Sequence, residues 1–113
     1  MLRAFRDLLD AGRDLWTTSY VIVETVALLQ HRIGLPPVRD FVEHMVPILS
    51  VEWVSDALHE QGMTTLLRED RRRLSLVDCV SFEFMRGRGF RDALALDDHF
   101  GDAGFRTLPG IRR

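Results

Sequence analysis

Ser75 stands three residues before Asp78, and that spacing constrains the chain more than any other stretch of it. It is the spacing of an N-terminal capping box, in which a serine hydroxyl and an acidic side chain each accept from the other's backbone N–H where a helix begins. Val77, Val80 and Phe84 then recur at helical intervals, which predicts a helix from about Leu76 to Arg88. After Gly87 and Gly89, the run Ala93-Leu94-Ala95-Leu96 is too short for a stable helix and predicts a buried strand of a parallel sheet. Asp97 and Asp98 follow directly. Open α/β sheets bind their ligands at the C-terminal ends of such strands.

The remaining segments alternate in the same way. Leu2, Phe5, Leu8 and Leu9 form an apolar stripe opposite Arg3, Arg6, Asp7 and Asp10, so an amphipathic helix ending near Gly12 opens the chain. Leu15 to Thr18 predicts a short strand, and Thr18 or Ser19 caps a helix running from Tyr20 to about Arg32. Gly34 closes that helix, and Pro36 and Pro37 start another that carries Val38, Phe41, Val42 and Met45. Pro47 to Val51 predicts a second strand, and Ser55 to about Glu69 a helix that Gly62 weakens by ~1 kcal/mol relative to alanine. Arg71, Arg72 and Arg73 form a solvated connection, and Phe105 to Leu108 a last strand before Pro109 and Gly110. Strands alternating with helices predict an α/β fold, a mainly parallel sheet flanked by helices on both faces. The 113 residues suit one domain, 1–113, with no repeat or linker.

Composition limits the compartment more than the chemistry. A net charge of -2 neither demands nor excludes a nucleic-acid partner. None of the 15 basic residues is lysine; arginine forks suit phosphate, but a GC-rich genome gives the same bias. Cys79 has no cysteine to pair with, which suits a reducing compartment. Without an apolar leader or a run near the ~20 residues of a membrane span, the expectation is a soluble cytoplasmic protein that engages no membrane.

Three acidic residues carry the chemistry. Glu24 lies one turn into its helix among Val21, Ile22, Val23, Val26, Ala27 and Leu28, so incomplete solvation is expected and it needs a cation, either an arginine such as Arg91 or a metal. Taken alone, Asp78 reads more readily as a cap than as a ligand, and Asp97 with Asp98 more readily as a polar turn than as a site. What favours a site is convergence, because parallel strands send their C-terminal ends the same way and so bring Glu24, Asp78 and Asp97 to one edge. Gathered carboxylates repel one another unless a hard divalent ion offsets them, and Mg2+ or Mn2+ takes such oxygen ligands. A site of this kind orients and deprotonates water for in-line attack on a phosphodiester.

Ser75-Leu76-Val77-Asp78-Cys79, then Leu96-Asp97-Asp98-His99-Phe100 with Ala103-Gly104-Phe105, resembles the C-terminal half of the PIN-domain ribonucleases, and within them the VapC-type toxins of type II toxin-antitoxin pairs. Thr18-Ser19-Tyr20 followed by Glu24 resembles the segment leading to that family's second acidic residue. The resemblance implies a three-layer PIN-like fold and a metal-dependent endoribonuclease with Glu24, Asp78 and Asp97 as catalytic and metal-binding residues. It also implies an RNA substrate, a cognate antitoxin and a homodimer. Arg86 and Arg88 are the expected RNA-binding residues; Asp98 is a weaker candidate, and His99 is read as a helix-start or packing residue.

The chain departs from the family at its start. Members open with a strand carrying a first aspartate, and Asp7 and Asp10, on the polar face of a helix, do not supply it. The expectation is therefore a PIN-like domain lacking its usual first strand, either through a misplaced gene start or through truncation, and the upstream codons discriminate these. The alternative function is a catalytically impaired PIN fragment that acts only by binding a partner. A phosphate-binding α/β domain would need a Gly-rich loop after the first strand, and none is present.

Overall fold

The computed structural model describes residues 14–94 and 102–108. The expected helix ahead of Gly12 lies outside them, as do Asp97, Asp98 and His99. The chain divides into two compact units, one spanning Asp14–Val54 and the other containing the described residues from Ser55 onward.

In the first unit, β1 (Trp16–Thr18) runs straight into α1 (Ser19–Arg32). The buried Thr18 is the cap: its hydroxyl accepts from the Val21 N–H at 3.3 Å. Ser19 has a different task, because its Oγ accepts from the Val54 N–H at 2.9 Å and so ties the start of α1 to the chain beyond β2. The N–H groups of Ile33 and Gly34 both bond to the Leu29 carbonyl, and Gly34 has φ +135°, a conformation that L side chains rarely adopt. The next helix, α2 (Leu35–Asp40), has proline in its first turn, where the missing N–H has no partner to lose.

Pro47 reshapes the end of this helical segment. It cannot donate to the carbonyl four residues back and its ring crowds that carbonyl, so α2 widens into a π turn (Phe41–Met45) and tightens into a 3-10 turn (Val46–Ile48). The strand expected from Pro47 therefore starts later, as β2 (Ser50–Glu52). β1 and β2 are parallel, with Trp16 opposite Ser50, Thr17 opposite Val51 and Thr18 opposite Glu52. The connection between them is helical, as a parallel pair requires.

In the second unit, α3 (Asp56–Glu69) is capped by Ser55, whose Oγ accepts from the Leu58 N–H at 3.1 Å. It ends at Asp70, held left-handed at φ +52°. The next helix, α4 (Leu76–Arg88), begins at the predicted residue with the predicted capping box and ends at Gly89, φ +72°. Cys79, Val80, Ser81, Phe82, Phe84 and Met85 are all buried, so α4 is covered on more than the one stripe that Val77, Val80 and Phe84 outlined. Leu74, Cys79 and Phe82 pack with Leu66, Ala103 and Phe105, while Phe84 and Met85 pack with Leu58, Phe90 and Phe105. Burying each large side chain contributes about 1.5–3 kcal/mol, which makes α4 the hydrophobic centre of its unit. A second parallel pair, β3 (Asp92–Leu94) and β4 (Arg106–Leu108), places Asp92 opposite Arg106.

The strands described form two parallel two-stranded pairs, β1 with β2 and β3 with β4, and helices lie between β1 and β2 and between β2 and β3, consistent with a PIN-like α/β fold. No helix among the described residues is long and apolar enough to cross a membrane.

Candidate active site

Asp78 occupies the third position of α4, in its first turn. Its N–H donates to Ser75 Oγ at 3.0 Å, and its Oδ2 accepts from the Ser75 N–H at 3.4 Å. The capping role weighed from the sequence is thus real, and it fixes the carboxylate's position. A carboxylate offers about four lone-pair sites, so one cap bond does not exhaust it.

Glu24 lies on α1 and is exposed, contrary to the incomplete solvation expected from its neighbours. The reason is that those apolar neighbours are themselves at the surface: Val23 is 65% and Leu28 49% exposed. Adjacency in sequence to apolar residues did not translate into an apolar environment. Glu24 belongs to the first unit and Asp78 to the second, and Asp97 lies outside the described residues. Among the described residues, no group of three His, Cys, Asp or Glu side chains is arranged to hold a metal ion. By chemistry the three acids still fit a hard divalent cation, since all offer carboxylate oxygen.

Arg86 and Arg88 are both exposed near the end of α4. Arg86 is held from several sides. One nitrogen donates to Glu83 Oε2 at 2.8 Å, and the other to the Ala103 carbonyl at 2.9 Å. Its guanidinium lies 5.9 Å from the Phe82 ring centre and 5.4 Å from that of Phe105. Glu83 Oε2 also accepts from the Thr65 hydroxyl at 3.1 Å, so a polar chain links α3, α4 and the turn at Ala103. Sequence reasoning missed this link; only the three-residue spacing of Glu83 and Arg86 was visible. The Arg88 guanidinium lies 5.5 Å from the centre of the Phe84 ring.

A cleft of about 210 Å³ opens beside this network, with Arg68, Arg71, Arg86, Thr65, Leu74 and Phe82 among its walls. Arg71 to Arg73 are exposed, as expected of a solvated connection. Next to Asp78, the Cys79 thiol is pushed above its ordinary value, first by burial and then by the negative charge of Asp78, Glu69 and Glu83, with Arg71 opposing.

No protein-family model matches the chain. The 23S rRNA-specific endonuclease VapC20 of Mycobacterium tuberculosis, from two strains, is 38% identical over 90 residues, which covers 79% of this chain and 69% of the relative. The crystal structure of M. tuberculosis VapC20, described as a sarcin-ricin loop cleaving toxin, matches with a TM-score of 0.75 and 34% identity, covering 88% of this chain and 78% of that one. Sequence identity and fold thus agree with the family resemblance, and the chain belongs to the VapC-type PIN-domain ribonucleases, the endoribonuclease toxins of toxin-antitoxin pairs.

Proposed function

We propose that the chain hydrolyses RNA phosphodiester bonds with Mg2+ or Mn2+ held by Glu24, Asp78 and Asp97. The observation that carries this reading is Asp78, a half-buried carboxylate fixed by its cap at the start of the helix on which its unit is centred. A divalent ion at these acids supplies positive charge against the phosphoryl oxygens. The carboxylates orient the attacking water and accept its proton. As the water oxygen bonds to phosphorus, the bond to the leaving ribose oxygen breaks, and that oxygen takes up a proton.

The substrate named for the M. tuberculosis relative is 23S rRNA, and a ribosomal RNA hairpin is the substrate proposed for this chain. The proposed partners are a cognate antitoxin that blocks the acidic site and a second copy of the chain, and the proposed compartment is the cytoplasm. Arginine is suited to the blocking role, because its guanidinium pairs bidentately with carboxylates. Arg86 and Arg88 are proposed to face the RNA, Arg86 while also holding the Ala103 turn.

The experiment is cleavage of an RNA carrying the sarcin-ricin hairpin by the purified protein, in magnesium, in manganese and in excess chelator. Cleavage in either metal and none in chelator is the expected result. Full cleavage in chelator contradicts the metal assignment. Antitoxin binding with no cleavage under any condition would favour a partner-binding fragment.

A further inference from the structure

We propose that the cleft beside α3 and α4 is a subsite for one backbone phosphate of the RNA, with Arg71 as its principal ligand and Arg68 beside it. The inference rests on the endoribonuclease reading and adds a contact that the acidic motifs do not contain.

The arginines around the cleft differ in what they are free to do. Arg86 is committed: its two terminal nitrogens are directed at Glu83 and the Ala103 carbonyl, and its face lies against Phe82 and Phe105. Arg68 has only a loose pairing with its neighbour, 3.7 Å from Nε to Glu69 Oε2, with the arginine side chain 63% and the glutamate 44% exposed. Arg71 lines the cleft, and none of the ion pairs among the described residues involves it. A guanidinium without a carboxylate partner has its donor fork available for the two oxygens of a phosphodiester.

With Arg86 bound to Glu83 and Arg68 beside Glu69, Arg71 is the cleft arginine that no ion pair among the described residues holds, although the Asp102 carboxylate also lines the cleft. A single guanidinium suits the single negative charge of one backbone phosphate. Leu74 and Phe82, both nearly fully buried, also line the cleft.

The position of Arg71 ties this subsite to the chemistry. The Leu74 N–H donates to the Arg71 carbonyl at 3.1 Å, closing a turn that leads directly into the Ser75 cap and so to Asp78. Arg71 and Asp78 are thus joined by two consecutive hydrogen-bonded turns. The subsite is assigned to a phosphate other than the scissile one, which the endoribonuclease reading sets at Asp78.

The test is binding of a fluorescein-labelled oligouridylate, in chelator so that the RNA stays intact, by fluorescence anisotropy across a salt series. Wild type, Arg71→Ala, Arg71→Lys and the Arg68→Ala/Arg71→Ala double variant are compared. Arg71→Ala is expected to weaken binding about five-fold and to reduce the slope of log Kd against log salt by about 0.7, the value for one lost phosphate contact on a single strand. The double variant is expected to lose more, and Arg71→Lys to keep the slope. Unchanged affinity and slope in both alanine variants would overturn the subsite. So would a defect confined to polyglutamate, an acidic-protein mimic, with oligouridylate binding intact. Because this readout needs no cleavage, it separates from the endoribonuclease reading, which fails only if wild type cuts no RNA in magnesium or manganese.

Discussion

Gly62 of α3 lies directly against Val80 of α4. A Cβ at position 62 would run into the Val80 Cγ2 and stand 3.1 Å from both the Cα and the N of that residue. The two helices therefore cross with backbone close to backbone, at a glycine that the sequence marked only as a weak point in a helix.

Gly62→Ala consequently destabilises the protein. Alanine gains ~1 kcal/mol of helix propensity. Overpacking against backbone that cannot rotate away costs about 1–3 kcal/mol and outweighs that gain. Urea denaturation is expected to show a lower midpoint, and a higher one would mean that the crossing is looser than described.

Arg86 holds more than a surface charge. Arg86→Ala removes its bonds to Glu83 and to the Ala103 carbonyl together with its stacking on two phenylalanines. Because 43% of the Arg86 side chain is in solvent, the ion pair itself contributes little, and the expected loss is about 1–2 kcal/mol, mainly from hydrogen bonding and packing. Limited proteolysis should cut more readily near Ala103 in this variant. Stability and cleavage pattern equal to wild type would reduce Arg86 to a solvated residue.

How much of the structure was legible in the sequence depends on the range of each interaction. Caps are local, so Ser55, Ser75, Gly34 and Gly89 marked helix ends correctly. Pro47 misled because the apolar run after it suits a strand, whereas the missing N–H acts on the helix before it. Glu24 misled because burial depends on what packs against α1 and not on the residues beside it in the chain. The Arg86 to Ala103 bond spans 17 residues and has no local signature. For the site, the residue types and their order were legible and pointed to the family, but residue order alone does not encode which side chains meet in space.

Asp78 has two roles that substitution separates. Asp78→Asn keeps an oxygen that can accept from the Ser75 N–H, so stability should change by less than about 1 kcal/mol while RNA cleavage is lost. Ser75→Ala removes the hydroxyl that caps the Asp78 N–H and should cost about 1 kcal/mol with part of the activity retained. Thermal melts paired with cleavage assays check both. Normal cleavage by Asp78→Asn would leave Asp78 a cap alone.

The Cys79 thiol gives a pH signature. Its pKa is raised in the folded state from an ordinary value of 9.0, so the folded chain keeps this proton at a pH where the unfolded chain releases it. The contribution to stability is complete below the unfolded value and declines as pH rises through the folded one. Stability should therefore fall above about pH 9, less steeply in Cys79→Ala. Thiol reagents should label native protein only as fast as it opens, since Cys79 is 0% exposed. Rapid labelling at neutral pH would contradict the burial.

The shared cation is tested most directly by titrating Mn2+ into wild type, Glu24→Gln, Asp78→Asn and Asp97→Asn, with the bound ion followed by electron paramagnetic resonance. If the three carboxylates surround one ion, each single variant loses at least about ten-fold in Mn2+ affinity and loses RNA cleavage in parallel. Affinity equal to wild type in all three would show that these side chains do not share an ion.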